Sequence, residues 1–259
     1  MVTRPTTDRY DDIVVETITL PVRDGLTSAV LCWPLAGGPH PAVAIGAEGT
    51  GINSFIRRLG ATLAHLGYVV IVPDYYRGAG PPDPEAYDDF DTLMSHINAL
   101  DFGRAVHDLL DAIEFLHARD DVDGSRVASW GYCTGGTLAL FAACLRPDLA
   151  AAVLFYPSQP RFDMLDAKKP VHVVDLLWNI PCPVLFIVGD QDVVYPPEQL
   201  TDVRRRFEEW GVNATIAEYP GAGHAFNAHG SSLYHQEADE RSWEDAASFL
   251  AAHLGGSAP

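Results

Sequence analysis

RVASWGYCTGGTLALFAACL, residues 126–145, decides how the chain is read. It begins as a β-leaning run, turns at GYCTGG (131–136) and continues as an apolar, helix-like run, with Cys133 at the hinge. A strand that turns abruptly into a helix strains its backbone, and a Cβ beside the turn would crowd the neighbouring chain. Glycines belong there, and Gly131 and Gly135 supply them. The residue between them is left at the top of the sheet. It also lies at a helix N-terminus, where unpaired N–H groups and the helix dipole favour a thiolate over a thiol. The position suits a nucleophile.

The pattern G-x-C-x-G has the form of the nucleophile elbow of α/β-hydrolases, with cysteine in place of serine. A plainer reading, a buried cysteine with no chemistry, fits the other three, because cysteine is among the residues most often found inside. Cys32 lies in a strand-like run, Cys144 on the apolar side of the elbow helix, and Cys182 between two prolines.

On either side of the elbow, apolar runs alternate with helical patterns. Residues 13–20 and 27–33 flank PVRDG, whose Asp24-Gly25 is a turn signal, and predict an antiparallel hairpin. PAVAIGA (41–47) leads into the glycine-rich EGTGIN (48–53), then a helical stretch that Gly67 stops, then the strand YVVIVPD (68–74). Residues 75–100 begin as an irregular excursion rich in proline, glycine and acid, expected on the surface beside the site. A helix is expected over 101–118, where apolar residues fall at helical spacing. After the elbow come AAVLFYP (151–157), an apolar run over 171–180 and PVLFIVGDQD (183–192). A helix over 197–210, the strand NATIAEY, the loop PGAGHAFN (220–227) and a helix over 234–253 complete the chain. Continuously apolar strands alternating with helices predict a single domain with a mostly parallel sheet covered on both faces. Glu48, Cys133, Asp192 and His224 all follow predicted strands, which brings them to the carboxyl edge where such sheets bind ligands.

With 259 residues, 47% of them hydrophobic, the chain has ample material for one large core. No apolar run is long enough to span a membrane, and MVTRPTTDRYDD at the N-terminus has no apolar signal region. Four unevenly spaced cysteines do not form a disulfide framework, so a reducing cytoplasm is the expected setting. A net charge of −18, from 35 acidic and 17 basic residues, argues against nucleic acid and anionic membranes as partners and leaves a small molecule.

A nucleophilic cysteine needs a base, and an oriented imidazole is the usual one. Among ten histidines, His224 has the best setting, a glycine-rich loop after a late strand. His65, His107, His117, His229 and His235 lie on helices or at helix starts and read as solvated or packing residues. VGDQDVVYP offers Asp190 and Asp192 as the acid that fixes the imidazole tautomer. Asp192 takes that role as the last residue of G-x-x-D, and Asp190 is read as a turn aspartate. Glu48, directly after a buried strand, is either a solvated loop residue or a carboxylate able to take the thiol's proton.

Together these residues resemble the dienelactone hydrolase family, the carboxymethylenebutenolidases of aromatic-compound degradation. The likeness runs from about residue 41 onward. It rests on GYCTGG, on GDQD followed by proline, on AGH with Phe226, and on Glu48, Gly51, Asn53, Phe55 and Arg57 at the family's spacing. The resemblance implies an α/β-hydrolase fold and a Cys133–His224–Asp192 triad acting on an ester or lactone through an acyl-enzyme. It implies that Glu48 helps deprotonate the thiol, that Thr134 and Gly49 N–H groups hold the oxyanion, and that neither metal nor organic cofactor takes part. The chain departs from the family where a serine and an arginine follow the histidine, for Ala225 and Ala228 stand there. PDYYRG (73–78) offers Arg77 as a displaced anion anchor, and Tyr76 and Phe226 are expected beside it as substrate contacts, with residues 162–178 shaping the pocket. Two alternatives stand beside this reading: an esterase or thioesterase for neutral or larger substrates on the same triad, and a non-catalytic ligand-binding relative. Acyl group, leaving group and oligomeric state are open at this level.

Overall fold

The hairpin forms where the alternation places it. In the computed structural model, which describes residues 7–9, 11–35, 37–195 and 197–255, β1 (Thr7–Arg9) pairs with β2 (Ile13–Val22). β2 runs antiparallel to β3 (Gly25–Pro34), with Val22 opposite Gly25. Of the stretch read for a leader, residues 1–6 and 10 lie outside the described residues.

Six further strands follow: β4 (His40–Gly46), β5 (Val69–Pro73), β6 (Val122–Tyr132), β7 (Ala151–Phe155), β8 (Val184–Gly189) and β9 (Ala214–Tyr219). The sheet order is β1-β2-β3-β5-β4-β6-β7-β8-β9, antiparallel as far as the β3–β5 pair and parallel from β5 onward. Every residue of β5, β7 and β8 is buried, as their unbroken apolar sequences require when helices cover both faces. β9, at the edge, is only half-buried.

The helices are α1 (Ser54–His65), α2 (Phe90–Ala99), α3 (Phe102–His117), α4 (Thr134–Leu145), α5 (Pro197–Trp210) and α6 (Gln236–Leu254). Side chains alternate across β6 and show which helix lies on which side. Trp130 and Tyr132 point to one face, where Trp130 packs against Trp243 of α6 with ring centroids 6.4 Å apart. Ser129 points to the other and donates to the Ala139 carbonyl of α4 at 3.2 Å. This is the α/β-hydrolase arrangement the sequence predicts. Among the described residues, no helix is long and apolar enough to cross a membrane.

Two stretches differ from expectation. The excursion over 75–100 ends in a helix, α2, capped by the Asp89 side chain on the Thr92 N–H. Phe90, Leu93, Met94 and Ile97 stand at helical spacing, but only Ile97 is fully buried, so the apolar signal is short and set among acids and prolines. The run over 171–180 forms a 3-10 helix, Val173–Asn179, outside the sheet.

The chain runs from β4 to β5 on one side of β4 and later returns to place β6 on the other. This reversal opens a crevice at the carboxyl ends of β4 and β6, where open α/β sheets bind ligands. Glycines let the crevice close tightly. A Cβ on Gly131 would lie 2.1 Å from the Gly135 carbonyl oxygen, and one on Gly135 would lie 2.1 Å from that of Gly46 and 2.2 Å from that of Ala47. Between them Cys133 is held at φ 52° and ψ −118°, the strained conformation that lifts a nucleophile off the sheet.

Because the obstructing atoms are backbone at the end of β4, Gly135→Ala is expected to lower unfolding free energy by at least about 3 kcal/mol, the upper range for overpacking. Urea unfolding followed by circular dichroism checks this. A variant as stable as the parent would show that α4 can move away from β4.

Candidate active site

Four loops converge at the crevice. β6 delivers Cys133, β4 delivers Glu48 and Gly49, β8 delivers Asp192, and β9 delivers His224. Asp192 is 8% exposed and all of its bonds serve the site. Its Oδ1 accepts the N–H groups of Val194 (2.8 Å) and Tyr195 (3.0 Å), and its Oδ2 lies 2.8 Å from His224 Nδ1. Those bonds put the imidazole proton on Nδ1 and turn Nε2 away from the acid. Nε2 has no hydrogen-bond partner, and Cys133 is the group that raises its proton affinity most. The thiol stands near it but outside bonding geometry, as apo sites often do. Asp190 is a loop tie rather than part of this line: its Oδ1 accepts the Gly221 N–H at 2.8 Å, which fastens the β8 and β9 loops together.

The electrostatics single out one thiol. Burial pushes Cys32 up to about 12 and Cys182 up to about 11, and raises Cys144 as well. Burial also opposes the Cys133 thiolate, but the facing His224 outweighs it and the thiol titrates below its ordinary value. Burial favours neutral His224, yet the Cys133 and Asp192 charges raise it to about 10. Each of the two therefore stabilises the other's charged form.

Glu48 is 2% exposed, and burial raises its carboxyl above the usual range. Its Oε2 accepts from Asn53 Nδ2 at 2.9 Å and from the Tyr87 hydroxyl, while Oε1 has no hydrogen-bond partner. Asn53 serves twice, since its Oδ1 also caps α1 on the Ile56 N–H at 2.9 Å. Tyr75 donates to the Glu48 carbonyl and Tyr76 to that of Gly49 at 2.8 Å, so the loop after β4 is held by the loop after β5. A Cβ on Gly49 would lie 2.7 Å from Ile97 Cδ1, so α2 is seated directly on this loop. Thr134, first residue of α4, has a backbone N–H without an intrahelical partner.

Two cavities meet at Cys133 and His224, of about 470 Å³ and about 280 Å³. Glu48 and Gly49 line the larger with Phe90, Leu93, Val193 and Leu233. No described residue lining it is a lysine or arginine. Among the described residues, no group of His, Cys, Asp or Glu is placed to hold a metal ion.

Three expected substrate contacts are corrected. Arg77 does not reach either cavity, because its Nε bonds buried Asp108 at 2.9 Å and its Nη2 pairs with Asp24 and Asp108. Those carboxylates hold its charge more firmly than solvent does, and its pKa is raised. Tyr76 is buried and spends its hydroxyl on Gly49. Phe226 is fully buried between Tyr156 and Tyr219, with ring centroids 5.2 Å and 5.8 Å away. Of residues 162–178 only Asp163 lines a catalytic cavity. Sequence reasoning missed Tyr87, which bonds Glu48, Ser158, which faces the Cys133 thiol without a hydrogen bond to it, and Tyr156, whose ring meets His224 edge-on at 4.9 Å. No local pattern marks them: Tyr87 comes from the excursion before α2, and Tyr156 and Ser158 from the loop after β7.

Known proteins are similar to this chain in sequence and fold. The sequence model of the dienelactone hydrolase family matches residues 28–254. A Bradyrhizobium sp. protein named "Probable 2-oxo-3-(5-oxofuran-2-ylidene)propanoate lactonase" is 30% identical over 231 residues, 88% of this chain and 90% of that protein. One from Escherichia coli (strain K12) named "Putative carboxymethylenebutenolidase" is 32% identical over 207 residues, 80% of this chain and 75% of that protein. The crystal structure described as "Putative Dienelactone Hydrolase from Klebsiella pneumoniae subsp. pneumoniae MGH 78578" superposes with a TM-score of 0.83 at 29% identity. It covers 93% of this chain and 99% of that one. By the extent of the family match, the agreement in fold and the catalytic-edge motifs, this chain belongs to the dienelactone hydrolase family.

Proposed function

We propose that the chain hydrolyses carboxylic esters or lactones through a Cys133–His224–Asp192 triad. The observation that carries this reading is the strained Cys133 facing a histidine whose other nitrogen lies 2.8 Å from buried Asp192. The thiolate attacks the carbonyl carbon, and the Thr134 and Gly49 N–H groups stabilise the oxyanion, a contribution that is large because the donors are already oriented. His224 gives its Nε2 proton to the departing alkoxide, leaving an acyl-thioester on Cys133. It then takes a proton from water, which attacks the thioester and frees the acid. Where Cys133 is still a thiol, Glu48 acts in the first step as acceptor of its proton and hands it on to His224 Nε2, which thereby holds the proton that the departing alkoxide takes. Burial raises its basicity toward that of the thiol, and proton transfer is most effective between groups of matched pKa.

The wall of the larger cavity favours neutral substrates over carboxylated lactones. Arg77 is spent on Asp24 and Asp108, the positions after His224 hold Ala225 and Ala228, and a carboxylate entering there would lose water without gaining a bidentate partner. A neutral lactone is expected to have the higher kcat/KM of a matched pair; the reverse order would show that a cation elsewhere receives the carboxylate.

Iodoacetamide should label Cys133 first and abolish turnover, with the labelling midpoint below the ordinary thiol value of about 8.5. His224→Asn removes the cation that lowers the thiol while the burial that raises it remains, so the midpoint should move up. Labelling rates measured across pH, with peptide mapping, check both statements. Activity lost through Cys32, Cys144 or Cys182 would exclude Cys133 as nucleophile.

Glu48→Gln keeps the side chain's size and removes the acceptor. Acylation in single-turnover assays near neutral pH is expected to slow by about 10²–10⁴-fold, the usual worth of general-base assistance. The deficit should shrink as pH rises through the thiol's titration, because a thiolate already formed needs no base. Acylation at the parent rate across that range would leave His224 as the sole base.

A further inference from the structure

The two cavities at Cys133 share Phe90, Leu93 and Val194 but end differently. The larger is lined further by apolar Val193 and Leu233, with Asp88, Gln191 and Ser232 beside them. The smaller adds Met94 and Ile97 and a polar set, Ser158, Gln159, Arg161, Asp163 and Gln199. Three of these bring a buried polar atom without a hydrogen-bond partner: Ser158 Oγ, Gln159 Oε1 and Gln199 Oε1. Ser158 is 9% exposed, so its hydroxyl has little access to bulk water. Folded proteins leave few such atoms, since each loses its hydration with nothing in return. Three around one cavity that opens onto the proposed nucleophile call for a ligand group that bonds them.

The chemistry of that group follows from what the wall offers. A glutamine amide presents an acceptor and a donor, and a serine hydroxyl does both. A ligand hydroxyl, itself donor and acceptor, satisfies these groups whichever way the amides are turned. A carboxylate only accepts, and it would face Asp163 on the same wall. Arg161, the one arginine or lysine lining this cavity among the described residues, already has Asp175 at 3.4 Å and Asp202 at 3.7 Å. We infer that the smaller cavity is a subsite for a hydroxyl-bearing arm of the ester or lactone, held by Gln159 and Gln199, while the larger cavity takes an apolar arm. The inference rests on Cys133 as the nucleophile.

The test compares matched synthetic esters on the purified full chain. Each set has an alkyl, a hydroxyalkyl and a carboxyalkyl version of one arm, varied once on the acid side and once on the alcohol side, with the other arm apolar. The hydroxyalkyl ester of at least one set is expected to exceed its alkyl counterpart about tenfold in kcat/KM, the worth of one to two net hydrogen bonds. Gln159→Leu and Gln199→Leu should each reverse that order, lowering turnover of the hydroxylated ester and raising that of the alkyl one. Equal turnover of hydroxyalkyl and alkyl esters in both sets would overturn the subsite. So would a carboxyalkyl preference that Arg161→Gln abolishes, because the cavity would then be an anion site. No turnover of any ester, with Cys133 unlabelled by iodoacetamide, would overturn the nucleophile itself and the subsite with it.

Discussion

The contact on which the rest of the molecule depends is backbone against backbone. The start of α4 lies so close to the ends of β4 and β6 that neither Gly131 nor Gly135 has room for a Cβ. This closeness forces Cys133 into its left-handed conformation, points its side chain out of the sheet, and leaves the first N–H groups of α4 facing the same crevice. The same contact brings the loop after β4 beside the thiol, so Glu48 and Gly49 are placed by the packing that strains the cysteine.

Around this fixed point the charges are arranged by burial. Three of the four cysteines are sealed away, and burial keeps them protonated. Cys133 meets the same penalty but has His224 opposite, and His224 has Asp192, which is itself anchored by two backbone N–H groups. Each group compensates the desolvation of the next. Glu48 is the exception, with two donors on one oxygen and none on the other. A purely structural carboxyl would have both oxygens satisfied.

The chain's acidity shows in how its arginines are used. With twice as many acidic as basic residues, carboxylates from other elements claim the cations. Arg77 is taken by Asp24 and Asp108, and Arg161 by Asp175 and Asp202. An anion binder must compete with those partners, and recognition by neutral hydrogen bonds avoids that competition.

By itself the sequence determined the alternation of strands and helices, the elbow, and the order in which Cys133, Asp192 and His224 arrive, with Glu48 ahead of them. These are local matters: continuous apolar runs require a covered sheet, glycines permit a strained turn, and residues that follow parallel strands share one edge. Tertiary structure alone decided what the long-range partners do. Arg77 looks like a free loop arginine until α3 packs under the end of β5 and presents Asp108, 31 residues away. Tyr87 reaches Glu48 across 39 residues. Ser158 and Gln159 come from the loop after β7 and Gln199 from α5, and they share one cavity wall only once both elements are in place. A hydrogen bond or ion pair between distant segments costs nothing in local pattern and leaves no periodicity behind, so the sequence could place the elbow cysteine but not the walls around it.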